Sequence, residues 1–223
     1  MLIAIKGAGD LATGIACRLH RCGFQIVCTD IEKPTTVRCT VAFSRAVYDG
    51  AATVTGVTAR LAKDAADARR ISGEGEIPIL IDPEYKEAKK LEPAVLVDAI
   101  IAKKNLGTTR DMAPLTIALG PGFVAGQDVD VVVETKRGHK LGRIIREGAA
   151  APNSGVPGII GGYGAERVLH AQAAGIFRNL HSIAEFVGRA RLWPRSKRRT
   201  VSVCRWSHRS PASCGGCCGM ATR

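Results

Sequence analysis

No stretch of the 223 residues approaches the roughly 18 consecutive apolar residues of a membrane-spanning helix, and the apolar lead of residues 1–5 is too short for a secretory signal. The expected compartment is therefore the cytoplasm, with no membrane partner. The chain also lacks Gly-x-Ser-x-Gly, His-Glu-x-x-His and a glycine-loop lysine of the Walker type, so no nucleophile, general base or catalytic zinc ligand can be named. Acids are missing from one region altogether. Residues 188–223 carry nine Lys or Arg and no Asp or Glu, which leaves 23 basic and 20 acidic residues in the preceding 187. The net charge of +12 is thus mostly a property of the tail, and the rest carries only about +3. Cysteines divide the same way. Cys17, Cys22, Cys28 and Cys39 lie in the first part, where a reduced compartment leaves them as small buried hydrophobes, and Cys204, Cys214, Cys217 and Cys218 lie in the last twenty residues. Cys17 and His20 share a helix face but have no second ligand pair, so no metal is expected.

What is present begins at the N-terminus. Leu2-Ile3-Ala4-Ile5 is an apolar run suited to a strand buried on both faces, and it runs directly into Gly7-Ala8-Gly9-Asp10-Leu11-Ala12. Leu11, Ile15, Ala16 and Leu19 then recur at helical spacing, Gly23 ends the helix, and residues 24–29 form a second apolar run closed by Asp30. Strand, glycine turn, helix, strand and acid in this order predict a Rossmann-type βαβ unit, with Asp30 where a ribose-binding acid would lie. Gly7 allows a tight turn, Gly9 lets a ligand approach the backbone, and Ala12 keeps helix and strand close. The free N–H groups at the helix start make an anion site. Asp10 at that mouth works against a pyrophosphate, because its carboxylate can cap those groups itself.

Further along, residues 37–48 read as a helix, 51–58 as a strand and 64–71 as a helix. Apolar strands then run into Asp82 and Asp98, so three strands end in an acid and Asp30, Asp82 and Asp98 are expected to line one crevice at the sheet's carboxyl end. Each can instead cap the turn that follows it. Leu115–Leu119 empties into Gly120-Pro121-Gly122, whose N–H groups either meet an anionic ligand or merely make a strand-end turn. Residues 129–135 read as another strand, followed by the basic turn Lys136-Arg137-Gly138-His139-Lys140. From Gly148 a Gly- and Pro-rich texture marks a junction. The expected fold class is α/β, a Rossmann-like mostly parallel sheet over residues 1–148. A junction and partial β-rich domain occupy 149–187, and a basic, Cys-containing, disordered tail occupies 188–223.

Five motifs in order resemble a known family. Lys6-Gly7-Ala8-Gly9-Asp10-Leu11-Ala12-Thr13-Gly14, Val95-Leu96-Val97-Asp98-Ala99-Ile100 with Asn105-Leu106-Gly107-Thr108, Ala118-Leu119-Gly120-Pro121-Gly122-Phe123, Arg137-Gly138-His139 with Leu141-Gly142, and Ala151-Pro152-Asn153 look like the YqeB-type proteins of the selenium-dependent molybdenum hydroxylase system. The resemblance covers about residues 1–185 and implies a first domain similar to that of the XdhC xanthine dehydrogenase accessory proteins. It implies an accessory role in maturing the molybdenum cofactor, a molybdenum hydroxylase of the xanthine dehydrogenase type as partner, and a partial barrel-sandwich domain around residues 166–177. The expected cofactor-binding residues are Gly7, Gly9, Asp10, Ala12, Thr13, Asp30, Asp82, Asp98, Gly120 and Gly122, holding a nucleotide or another phosphate-bearing cofactor such as NAD(P) or the molybdenum cofactor. A homo-oligomer is compatible with this reading. After residue 187 acids, periodicity and resemblance stop together, which points to a shifted reading frame. The alternatives are an NAD(P)-dependent oxidoreductase and, through the Arg-rich tail with Trp193 and Trp206, a nucleic-acid binder.

Overall fold

The computed structural model of the chain describes residues 1–156, 158–164, 176–179, 183 and 204–207. The readings that fall on residues 165–175 and on most of the tail, including Trp193, Cys214, Cys217 and Cys218, lie outside them. The chain divides into two units, Met1–Gly155 and Val156–Arg223.

In the first unit, β1 (Leu2–Lys6), α1 (Asp10–Arg21) and β2 (Gln25–Asp30) form the expected βαβ unit. Alternation along the strands sends Ile3, Ile5, Ile26 and Cys28 to one face of the sheet, where they pack with Ala12, Ala16 and Cys17 of α1. Ala4 and Val27 go to the other, against Ala65, Ala68 and Ile71 of α3 (Ala65–Gly73). Both faces are therefore covered, as a parallel sheet requires. The buried stripe of α1 is Ala12, Thr13, Ala16 and Cys17, whereas Leu11 of the predicted stripe is half exposed. Small side chains win this face because they bring the helix closer to the strands.

Two readings of local structure need correction. Residues 37–48 are not one helix: short 3₁₀ turns at Cys39–Val41 and Phe43–Arg45 precede α2 (Ala46–Asp49), and Ala42 between them is extended. Tertiary bonds take the amides that a helix would need, since Phe43 N donates to Thr13 Oγ1 at 2.8 Å and Ser44 N to Ala8 O at 2.8 Å. Residues 51–58 are a hairpin of β3 (Ala51–Val54) and β4 (Val57–Ala62), turned at Thr55 and Gly56, both with positive φ.

The chain continues through α3, with Asp64 capping Asp67 N, β5 (Ile77–Ile81), α4 (Lys86–Lys89), β6 (Val95–Asp98), β7 (Leu115–Leu119), β8 (Val124–Ala125), β9 (Val131–Val133), β10 (Ile144–Ile145) and β11 (Gly148–Ala149). Nine strands make one sheet in the order β10-β9-β7-β6-β1-β2-β5-β4-β3. All neighbours are parallel except the edge strands β3 and β10. From β1 the chain moves outward to β2 and beyond, then returns to lay β6 on the other side of β1. The direction of winding reverses between β1 and β6, the place where such sheets open a crevice at their carboxyl ends.

In the second unit the described backbone includes β12 (Ile176–Asn179), paired antiparallel with β13 (Cys204–Ser207), and a bridge between Ile160 and Tyr163. No helix among the described residues is long and apolar enough to cross a membrane.

Candidate functional site

A cleft of about 800 Å³ opens at the β1/β6 crossover. Its walls come from the ends of four strands and the turns after them: Gly7, Ala8, Gly9 and Asp10 after β1, Asp30 at the end of β2 with Ile31 and residues 34–38 after it, Pro83 after β5, and Ala99, Ile100, Ile101, Lys103 and Leu106 after β6. Lys6 also lines it, at the last position of β1.

Gly7 and Gly9 are glycines for different reasons. Gly7 has φ +97°, and a Cβ there would lie 3.1 Å from the carbonyl oxygen of Ala99, so the turn after β1 can approach the turn after β6 only without a side chain. Gly9 has φ −66° in extended backbone, and a Cβ would meet nothing nearer than Thr36 Oγ1 at 3.6 Å. Nothing among the described residues requires glycine there, and the bare backbone leaves space over the start of α1. No side chain among the described residues caps α1, whose first N–H groups have no intrahelical acceptor. Asp10 does not cap them as the sequence suggested. Its carboxylate turns to Arg38, 2.5 Å away, which neutralises it at the rim.

The three strand-end acids have separate fates. Asp30 lines the cleft and accepts from Ala8 N at 3.1 Å and Ile31 N at 2.8 Å, tying the glycine turn to β2. Burial pushes its carboxyl above the usual carboxylate range, opposed by those two N–H groups. Asp82 is buried away from the cleft lining and takes Lys86 N at 2.8 Å and Ala88 N at 2.9 Å, so it holds the start of α4. Asp98, 2 % exposed and not a lining residue, accepts from Thr108 Oγ1 at 2.6 Å and Ile100 N at 3.2 Å.

The remaining predicted positions do not line the cleft. Ala12 is fully buried against the sheet, and Thr13 bonds Ala8 O and receives Phe43 N, bracing the turn from inside. Gly120 N donates to Val133 O, and a Cβ on Gly120 would lie 2.6 Å from Thr135 Oγ1. A Cβ on Gly122 would lie 2.6 Å from the Lys104 backbone. These two glycines allow close packing of the loops around them. The basic turn after β9 contributes no lining residue. Cys17, Cys28 and Cys39 are buried and Cys22 is exposed, while Cys17 donates its thiol to Val54 O. Among the described residues no group of three or more His, Cys, Asp or Glu is placed to hold a metal.

Sequence reasoning gave no role to Lys6 and Thr108. Lys6 is 3 % exposed, and its ammonium donates to Thr108 Oγ1 at 2.9 Å, which in turn donates to Asp98. Burial lowers the Lys6 pKa, while Asp98 and then Asp82 oppose the shift. Asn105 shapes the loop that delivers Thr108: its Oδ1 accepts from Gly107 N and Thr108 N, and its Nδ2 donates to Thr108 O, each at 2.8 Å. The signal available was a lysine ending an otherwise apolar strand directly before a glycine turn.

The chain is 52% identical over 186 residues to a protein of Escherichia coli strain K12 named "Uncharacterized protein YqeB". The match covers 83% of this chain and 34% of the relative, so the chain spans about a third of the length of the curated relative that it matches. No protein-family model and no solved structure matches the chain.

Proposed function

Because the chain is YqeB-type over the stretch it shares with that relative, we propose that it is an accessory protein for the maturation of molybdenum-dependent hydroxylases of the xanthine dehydrogenase type. It acts in the cytoplasm and holds a nucleotide or other phosphate-bearing cofactor, NAD(P) and the molybdenum cofactor being the two classes in view, over the Gly7–Gly9 turn. The observation that carries the binding half is the cleft itself. It lies at the reversal of winding, with a helix start in its wall that no side chain among the described residues caps, and a glycine there that packing among those residues does not require. The maturation half rests on the five ordered motifs, two of which gain a physical reason: Asn105 shapes the loop that sets Thr108 between Lys6 and Asp98, and Gly122 seats its turn on the loop of Lys103 and Lys104. No group is assigned to a catalytic step.

The test is molybdenum hydroxylase activity in cells lacking the gene, with the hydroxylase polypeptide quantified alongside. Activity that falls while the polypeptide persists supports the reading. Unchanged activity removes it. A second reading, an NAD(P)-dependent oxidoreductase, is favoured by the position of Asp30 at the end of β2 in the same cleft. It requires NADH fluorescence to rise on binding and the rise to vanish when Gly9 is made bulky.

A further inference from the structure

Among the described residues, Lys6 is a buried cation with most of its hydrogen-bonding capacity left free. An ammonium has three donors, and a buried one needs an acceptor for each. Among the described residues Lys6 Nζ donates to one protein acceptor, Thr108 Oγ1. The hydroxyl cannot give its own proton back, because that proton goes to Asp98 Oδ2 at 2.6 Å. The arrangement is thus directional: carboxylate, hydroxyl, ammonium, then the cleft that Lys6 lines. Register explains how it arises, for Lys6 and Asp98 are partners across the β1–β6 pair at the point where winding reverses.

We propose that Lys6 is the group that recognises the ligand, its two remaining donors binding the oxygens of a phosphate at the floor of the cleft. The proposal rests on the reading of the cleft as a phosphate-ligand site and names the residue and the chemical feature that this site selects. Three surroundings favour an anion at that point. The uncapped start of α1 lies in the same wall, Asp10 is neutralised by Arg38, and both oxygens of Asp30 already face backbone N–H groups. A carboxylate-tethered lysine holds its donors in place before the ligand arrives, so the cleft discriminates a phosphorylated ligand from the same molecule without phosphate. Thr108 is a positioning residue.

The experiment compares ADP with adenosine by calorimetric titration of the full chain and of Lys6→Met, which keeps the stem of the side chain and removes its charge. The wild type is expected to bind ADP more tightly than adenosine. Lys6→Met is expected to lose about 10- to 100-fold in ADP affinity, the range of a lost charge-assisted hydrogen bond, with adenosine unchanged. Equal ADP affinity in the variant overturns the role of Lys6 and leaves the cleft's ligand class standing. A wild type that binds no ADP, or does not distinguish it from adenosine, overturns both. Should Lys6→Met fail to fold, the wild-type Lys6 ammonium, followed by NMR through its side-chain carbons, decides the matter. Its resonances are expected to move with ADP and not with adenosine, and resonances unmoved by saturating ADP contradict the proposal.

Discussion

Substituting alanine at the two glycines of the β1–α1 turn separates what the fold needs from what the ligand needs. At Gly7 the new Cβ must adopt φ +97° and sit 3.1 Å from Ala99 O and 3.2 Å from Ile100 Cα. A left-handed backbone costs an ordinary residue about 1–2 kcal/mol, and forced overlap with neighbouring backbone adds about 1–3 kcal/mol. The expected loss for Gly7→Ala is therefore about 2–5 kcal/mol. At Gly9 the backbone is already ordinary and the nearest atom is a movable hydroxyl at 3.6 Å. Alanine is a poorer helix cap than glycine by up to about 1 kcal/mol, and its smaller unfolded-state entropy returns about 0.4–1 kcal/mol, so Gly9→Ala should change stability by less than about 1 kcal/mol. Urea unfolding midpoints measure both variants. The companion readout is ADP affinity, which Gly9→Ala should weaken despite its normal fold. Equal stability of the two variants, or a Gly9→Ala protein as damaged as Gly7→Ala, would refute the argument that only Gly7 is a structural glycine.

Two further outcomes concern groups outside the cleft. Glu134, 4 % exposed, accepts from Ala151 N at 2.8 Å and Lys136 N at 2.7 Å, and those amides hold its carboxyl below the usual range. A depressed folded-state pKa means that its stabilisation is present above the unfolded value of about 4.3 and is lost as pH falls through the folded value. Glu134→Gln should therefore be less stable than the wild type by about 1–3 kcal/mol at pH 7 and should approach it in acid; a gap of the same size at both pH values counts against this. Asp82→Ala removes the acceptor of two α4 amides and should cost about 1–2 kcal/mol in urea unfolding while leaving ADP affinity unchanged. A selective loss of ADP binding would place Asp82 in the site after all.

The order of the βαβ core was legible because its element signals agreed with the tertiary answer: an apolar strand, a glycine turn, a helix and an acid at the second strand's end. The buried face of the helix was not, since small residues rather than Leu11 meet the sheet. Residues 37–48 misread as one helix because their amides bond to Ala8 and Thr13, partners about thirty residues away that no local pattern reveals. The Val- and Thr-rich hairpin of β3 and β4 hid its turn because threonine, not glycine, occupies the first positive-φ position. The acids at the ends of β2, β5 and β6 were found by position, but what each does depends on which amide or hydroxyl arrives beside it. Lys6 escaped for the same reason, since its partner Thr108 stands 102 residues along the chain.

The most direct test of the account is an amide NMR titration of the full chain with ADP. Binding in the β1/β6 cleft predicts that the amides of Gly7, Ala8, Gly9, Asp10 and Leu11 shift together with those of Ala99, Ile100 and Ile101. Absence of shifts at saturating ADP, or shifts confined to residues remote from that crossover, would contradict the claim that this is where the protein holds a phosphate-bearing ligand.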